Sequence, residues 1–134
     1  MATVSEVIAG YLHAAGIGHV FGYPGDPSVE VIEALRQAGI HFVLGRREGT
    51  AGLMALAYAQ VTGRPGIALS TLGPGSSNLV NTVATALLDR IPVIAISGQI
   101  ETRREAIFTH QVLNHAQMFG PVTKWSAELR ANAA

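Results

Sequence analysis

Apolar side chains recur along the chain in two alternating rhythms. Val4, Val7, Ile8, Tyr11 and Leu12 follow the spacing of one helix face, and Thr3 with Glu6 forms a capping box ahead of them. Gly16 stops that helix, and Ile17–Gly22 reads as a short buried strand. Asp26 as N-cap, with Pro27 in the first turn, opens a second helix running to about Gln37. Gly39 ends it, and Ile40–Leu44 is a second strand. An Ala- and Leu-rich helix then opens at Glu48 or Thr50 and runs to about Val61. After the Gly63–Gly66 turn come a strand at Ile67–Thr71, a glycine loop, and a helix from about Ser76 to Leu88. Pro92–Ser97 is a fourth strand with a nearly continuous apolar run.

Strands apolar on both faces and separated by helices bury both sides of a parallel sheet. The expected fold class is α/β, a three-layer domain with a mostly parallel sheet and helices on both faces. Beyond Gln99 the rhythm fades: Glu101–Glu105 is a polar connection, and His110–Phe119 lacks a clean period. Val122–Ser126 is expected as a last short strand. The domain is taken as residues 1–126, with residues 127–134 beginning a linker or tail.

Composition narrows the function classes. The 134 residues carry 9 basic and 9 acidic side chains, only 13% charged against 49% hydrophobic. Without cysteine there is no disulfide framework, no thiolate nucleophile and no Cys-ligated zinc. The basic residues are scattered, so nucleic acid is not an expected partner. The apolar run at Ile91–Ile96 is far short of the roughly 20 residues that span a bilayer, so no membrane partner is expected either. The N-terminus lacks a signal-peptide pattern, and a cytoplasmic location is expected. So small a domain with so large an apolar surplus is expected to hide part of it against another protein surface.

Ligands of open α/β sheets sit at the carboxyl ends of the strands. Four loops leave those ends: Tyr23–Asp26, Gly45–Glu48, Leu72–Ser76 and Gly98–Glu101. A carboxyl at a helix start, as at Glu48, ordinarily just complements the helix dipole. In a dry strand-end pocket it would exchange a proton instead, helped by desolvation. Of its neighbours Arg46 and Arg47, at least one should face away. Gly73, Pro74 and Gly75 form either a tight turn or a loop that admits a ligand against bare backbone, with Ser76 as a helix cap. No Lys-Ser/Thr pair follows, and the dinucleotide spacing is absent, so a generic nucleotide site is disfavoured. Pro24 and Gly25, taken alone, belong to a turn leading into a helix cap, which is ordinarily structure alone. Of five histidines only the i, i+5 pair His110 and His115 has a spacing that could ligate a metal; no metal site is expected, and with Gln111 and Asn114 they suit a polar patch lining a cleft.

Taken in order, these segments resemble the N-terminal pyrimidine-binding domain of thiamine diphosphate-dependent enzymes, of the acetolactate synthase and 2-oxo-acid decarboxylase group. The segments are Val20–Asp26, Arg47-Glu48, Ala57-Tyr58-Ala59, Thr62–Gly66, Thr71–Asn78, Asp89–Val93, Gly98-Gln99 and Pro121–Trp125. The resemblance implies thiamine diphosphate as cofactor. It gives Glu48 the role of the glutamate that hydrogen-bonds N1′ of the aminopyrimidine and favours the 4′-imino tautomer, which removes the thiazolium C2 proton. It implies that Pro24, Gly25, Gly73, Pro74, Gly75 and Asn78 border the cofactor, and that Gln111 lies near the reacting centre with a small 2-oxo acid substrate. The family usually has His before its glutamate, where this chain has Arg47. The family's Phe-Gln-Glu-x-x-Asp segment reads His110-Gln111-Val112-Leu113-Asn114 here, which bears on substrate choice.

These enzymes hold the diphosphate through Mg²⁺ on a separate domain carrying a Gly-Asp-Gly…Asn-Asn motif, and no such motif occurs in these residues. The resemblance therefore implies half a site, completed by a diphosphate-binding domain or subunit in a homo-oligomer that also joins pyrimidine domains. A non-catalytic oligomerisation module on the same fold is the alternative, and retention of Glu48 argues against it.

Overall fold

The computed structural model describes residues 2–101 and 110–129. Helix α1 (Val4–Ala14) starts from the expected capping box, the Thr3 N–H donating to Glu6 Oε2 at 2.7 Å and the Glu6 N–H to Thr3 Oγ1 at 3.2 Å. Then follow β1 (His19–Gly22), α2 (Val29–Gln37), β2 (His41–Leu44), α3 (Glu48–Thr62), β3 (Gly66–Ser70), α4 (Pro74–Leu88), β4 (Val93–Ser97) and a short α5 (His115–Phe119). The four strands form a wholly parallel sheet in the order β2-β1-β3-β4.

Side-chain alternation along the strands builds two cores. Val20, Ile67, Leu69 and Ile96 point to the layer containing α1 and α2, where they meet Ala9, Ala34 and Leu35. Phe21, Ala68 and Ala95 point the other way, against Ala51, Ala55, Leu79 and Val83 of α3 and α4. This is the three-layer arrangement that the two rhythms predict.

Small residues set how closely α3 lies on its neighbours. A Cβ on Gly66 would collide with the Ala55 backbone, and one on Gly52 would come within 3.0 Å of Leu79 and Thr82. Gly75, Leu79, Thr82, Val83 and Ala86 form the buried stripe of α4. Thr82 Oγ1 donates to Gly49 O at 3.3 Å, tying that stripe to the first turn of α3. The start of α3 is thereby fixed against α4.

Three local expectations are corrected. Asp26 caps nothing: residues Asp26–Ser28 form a 3-10 turn, and the buried Ser28 Oγ takes the Gly25 N–H at 2.9 Å and donates to Gly25 O at 2.8 Å. Ser76 is no cap either, since α4 already begins at Pro74 and Ser76 Oγ donates to Thr71 O at 2.9 Å. No strand forms at Val122–Ser126. Pro121, which has no N–H to give a ladder, lies in a 3-10 turn over Gly120–Val122, and irregular chain follows. Most of the expected Glu101–Glu105 connection and residues 130–134 of the linker lie outside the described residues.

Several apolar side chains stay exposed, among them Val4, Val7 and Tyr11 on α1, Ile94 on β4, and Trp125 and Leu129 on the trailing segment. These residues line one apolar groove beside the outer edge of β4. Among the described residues no helix is long and apolar enough to cross a membrane.

Candidate functional site

From β1 the chain crosses outward to β2 over one face, and from β3 outward to β4 over the other. The strand order therefore reverses between β1 and β3, and the crevice where ligands bind opens beyond their carboxyl ends. The Tyr23–Asp26 loop and the Thr71–Gly73 segment line it. Gly25 lies so close to Thr71 that any Cβ there would strike Thr71 Oγ1. Gly98, at the end of β4, abuts Pro27, where a Cβ would stand 2.7 Å from the proline Cβ.

Glu48 reaches this crevice from the first turn of α3 and is only 7% exposed. Its Oε2 accepts a hydrogen bond from Asn78 Nδ2 at 3.2 Å. Its Oε1 lies beside Gly75, where a Cβ would stand 2.8 Å from it and 2.6 Å from Thr71 Cγ2. Arg46 and Arg47 are both exposed, and among the described residues no cation pairs with Glu48. The site thus holds a buried carboxyl group with one neutral donor and an oxygen facing bare backbone. A carboxyl so placed can accept a hydrogen bond from a ligand in the crevice.

Gly73 and the start of α4 are fixed from below. Gly73 has a φ of +56°, and a Cβ there would collide with the Gln111 carbonyl, so both conformation and contact require glycine. Its N–H donates to His115 Nε2 at 3.0 Å. With Nε2 accepting, the neutral ring carries its proton on Nδ1, which faces Ser97 Oγ at 3.4 Å. Ser97 Oγ and Ser76 Oγ touch each other and both reach Thr71 O. Burial holds the His115 ring below the usual imidazole value, while the Glu128 carboxylate pulls it the other way.

The structure brings Glu48, Gly25, Gly75 and Asn78 together around Thr71, and sets the backbone of Gln111 over Gly73. Pro24 and Pro74 are exposed at the rim, and the Gln111 residue is itself exposed with a φ of +62°. Asn114 caps α5, its Oδ1 accepting the Gln117 N–H at 2.8 Å, and with His115 it lines the groove beside β4. His110 is exposed, and among the described residues no three metal-ligating side chains cluster. Sequence reasoning missed Thr71, which touches both glycines, and the bond from His115 to Gly73. Neither carries a local signal.

A wholly parallel sheet, a crevice at the reversal of strand order and a buried acid beside a glycine loop define a ligand-binding α/β domain. The sequence model of the thiamine pyrophosphate enzyme N-terminal TPP binding domain matches residues 2–118, and the chain belongs to that family. It is 38% identical over 130 residues to the catabolic acetolactate synthase of Raoultella terrigena, covering 97% of this chain and 23% of that protein. It is likewise 38% identical over 126 residues to the acetolactate synthase of Bacillus subtilis, covering 94% of this chain and 22% of the relative. The solved thiamine diphosphate-dependent 4-hydroxybenzoylformate decarboxylase of Rhodococcus jostii superposes with a TM-score of 0.87 at 28% identity, over 96% of this chain and 24% of that one. The chain thus spans less than a quarter of the length of these relatives.

Proposed function

We propose that this chain is the pyrimidine-binding half of a thiamine diphosphate-dependent enzyme acting on 2-oxo acids by decarboxylation or carboligation, in the manner of acetolactate synthase. One observation carries the reading. The Glu48 carboxyl is buried at the sheet's ligand crevice, free of any described cation, with Oε1 against Gly75. Gly25 and Gly75 let bare backbone pack directly on Thr71 and, at Gly75, on the Glu48 carboxyl, contacts that a side chain at either position would break.

Thiamine diphosphate, when bound, supplies the electron sink for a decarboxylation that no side chain provides. The role of Glu48 is to hold a proton at its carboxyl toward the aminopyrimidine. Asn78 orients that carboxyl through Oε2, and Gly75 keeps water and side chains off Oε1. Gln111 is assigned to the substrate side of the site, and Pro24 and Pro74 to its rim.

The diphosphate and Mg²⁺ belong, on this reading, to a separate domain or subunit, as the family resemblance implies. The exposed apolar side chains of α1, β4 and the trailing segment supply the surface for that domain and for a second pyrimidine domain. Residues 1–126 are taken as the domain, with the chain from 127 leading toward its neighbour.

Isothermal titration tests this division of labour. The 134-residue chain alone is expected to show no turnover and to bind thiamine diphosphate with Mg²⁺ at least roughly a hundredfold more weakly than the enzyme assembled with its diphosphate domain. Tight, Mg²⁺-dependent binding to the chain alone contradicts it.

A further inference from the structure

We infer that His115, as a neutral imidazole, is the positioning residue that holds Gly73 and the first turn of α4 in their cofactor-binding arrangement, and that its protonation releases the Gly73 contact. Only the word "cofactor" rests on the proposed function; the loop contact stands on geometry alone.

The Gly73 amide is buried, and His115 Nε2 is the acceptor that satisfies it. A buried N–H without an acceptor is costly, so the bond decides where Gly73 sits. Gly73 in turn leads α4, whose first turns carry Gly75 and Asn78, the two residues that touch the Glu48 carboxyl. On the far side of the ring, Nδ1 is held by Ser97, and Ser97 and Ser76 both anchor on Thr71, the residue packed against Gly25 and Gly75. One imidazole thus joins the end of β4 to the loop after β3.

Protonation at Nε2 would set an N–H against the Gly73 N–H, two donors with no acceptor between them. Of the described groups packed around the ring, the Gly73 loop presents its amide, and β4 and α4 present the hydroxyls of Ser97 and Ser76. None of these carries charge. Glu128 on the trailing segment is the charged group that acts on the ring, and it favours the cation. Burial outweighs it and favours the neutral ring. The folded state therefore binds the proton less readily than the unfolded chain. The contact is complete above the ordinary imidazole value of about 6.5 and is lost as pH falls through the lower folded value.

The test uses the complete enzyme and follows amide hydrogen exchange at Gly73 together with the KM for thiamine diphosphate, between about pH 5 and 8. In the natural protein, Gly73 protection is expected to fall on acidification along a single titration curve, and KM to rise about tenfold along the same curve. His115→Leu should lose the protection and show the raised KM at every pH. His115→Gln, which offers a non-titrating acceptor, should recover part of both and show no acid limb. Unchanged Gly73 protection in His115→Leu overturns the proposal, and so does an acid limb that persists in His115→Gln. The glutamine variant keeps the test decisive if the leucine variant fails to fold. Should Gly73 protection follow His115 while thiamine diphosphate fails to bind at any pH, the positioning role stands and the cofactor reading of the loop falls.

Discussion

Glu48→Gln is expected to lower turnover of the complete enzyme by about 10² to 10⁴-fold, the range a positioned acid or base contributes. The substitution preserves shape, and its amide oxygen still accepts from Asn78 Nδ2, which stands 3.2 Å from Glu48 Oε2. It removes the capacity to exchange a proton at the oxygen facing Gly75. Thermal stability should hardly move, because among the described residues the carboxyl pairs with no cation whose loss would leave a buried charge. Steady-state kinetics with a 2-oxo acid, beside a melting curve, separates the two effects. Full activity in Glu48→Gln would remove the carboxyl from the chemistry and favour the alternative of a non-catalytic oligomerisation module.

The second large effect is expected at Gly75. Gly75→Ala puts a methyl group 2.8 Å from Glu48 Oε1 and 2.6 Å from Thr71 Cγ2, so one of them must shift. Overpacking of this kind costs about 1–3 kcal/mol, and each 1.4 kcal/mol is tenfold in affinity. Alanine is the better helix former by about 1 kcal/mol, and Gly75 lies within α4, which offsets part of the strain in the folded protein. The expected result is a tenfold or greater rise in the KM for thiamine diphosphate, because Glu48 is displaced, with a loss of stability of up to about 2 kcal/mol. Unaltered cofactor affinity would mean that the ring does not bind beside Gly75 and the Glu48 carboxyl.

Much of this was legible in the sequence because it is local. Helix and strand periods, the Thr3–Glu6 capping box and the helix-ending Gly16 and Gly39 are each set by neighbours a few residues apart, and the structure reproduces them. Glu48 was recognisable as a lone acid after a buried strand, beside glycine and alanine. What escaped is non-local. The bond from Gly73 to His115 joins residues 42 positions apart, and Thr71 matters only because two loops converge on it. The failed caps have a similar cause. Ser76 abandons the helix end for Thr71 O, and Ser28, at the N-cap position of α2, makes no cap bond because its hydroxyl folds back on Gly25. The strand read at Val122–Ser126 rested on apolar composition alone, against Pro121 immediately before it.

The most direct test of the account is a structure of the complete enzyme with thiamine diphosphate and Mg²⁺ bound. The aminopyrimidine is expected in the crevice between the Gly25 loop and the first turn of α4 at Gly75, with N1′ within about 2.6–3.2 Å of the Glu48 carboxyl. The diphosphate is expected on another domain. A pyrimidine ring bound elsewhere, or Glu48 turned away from it, would contradict the assignment.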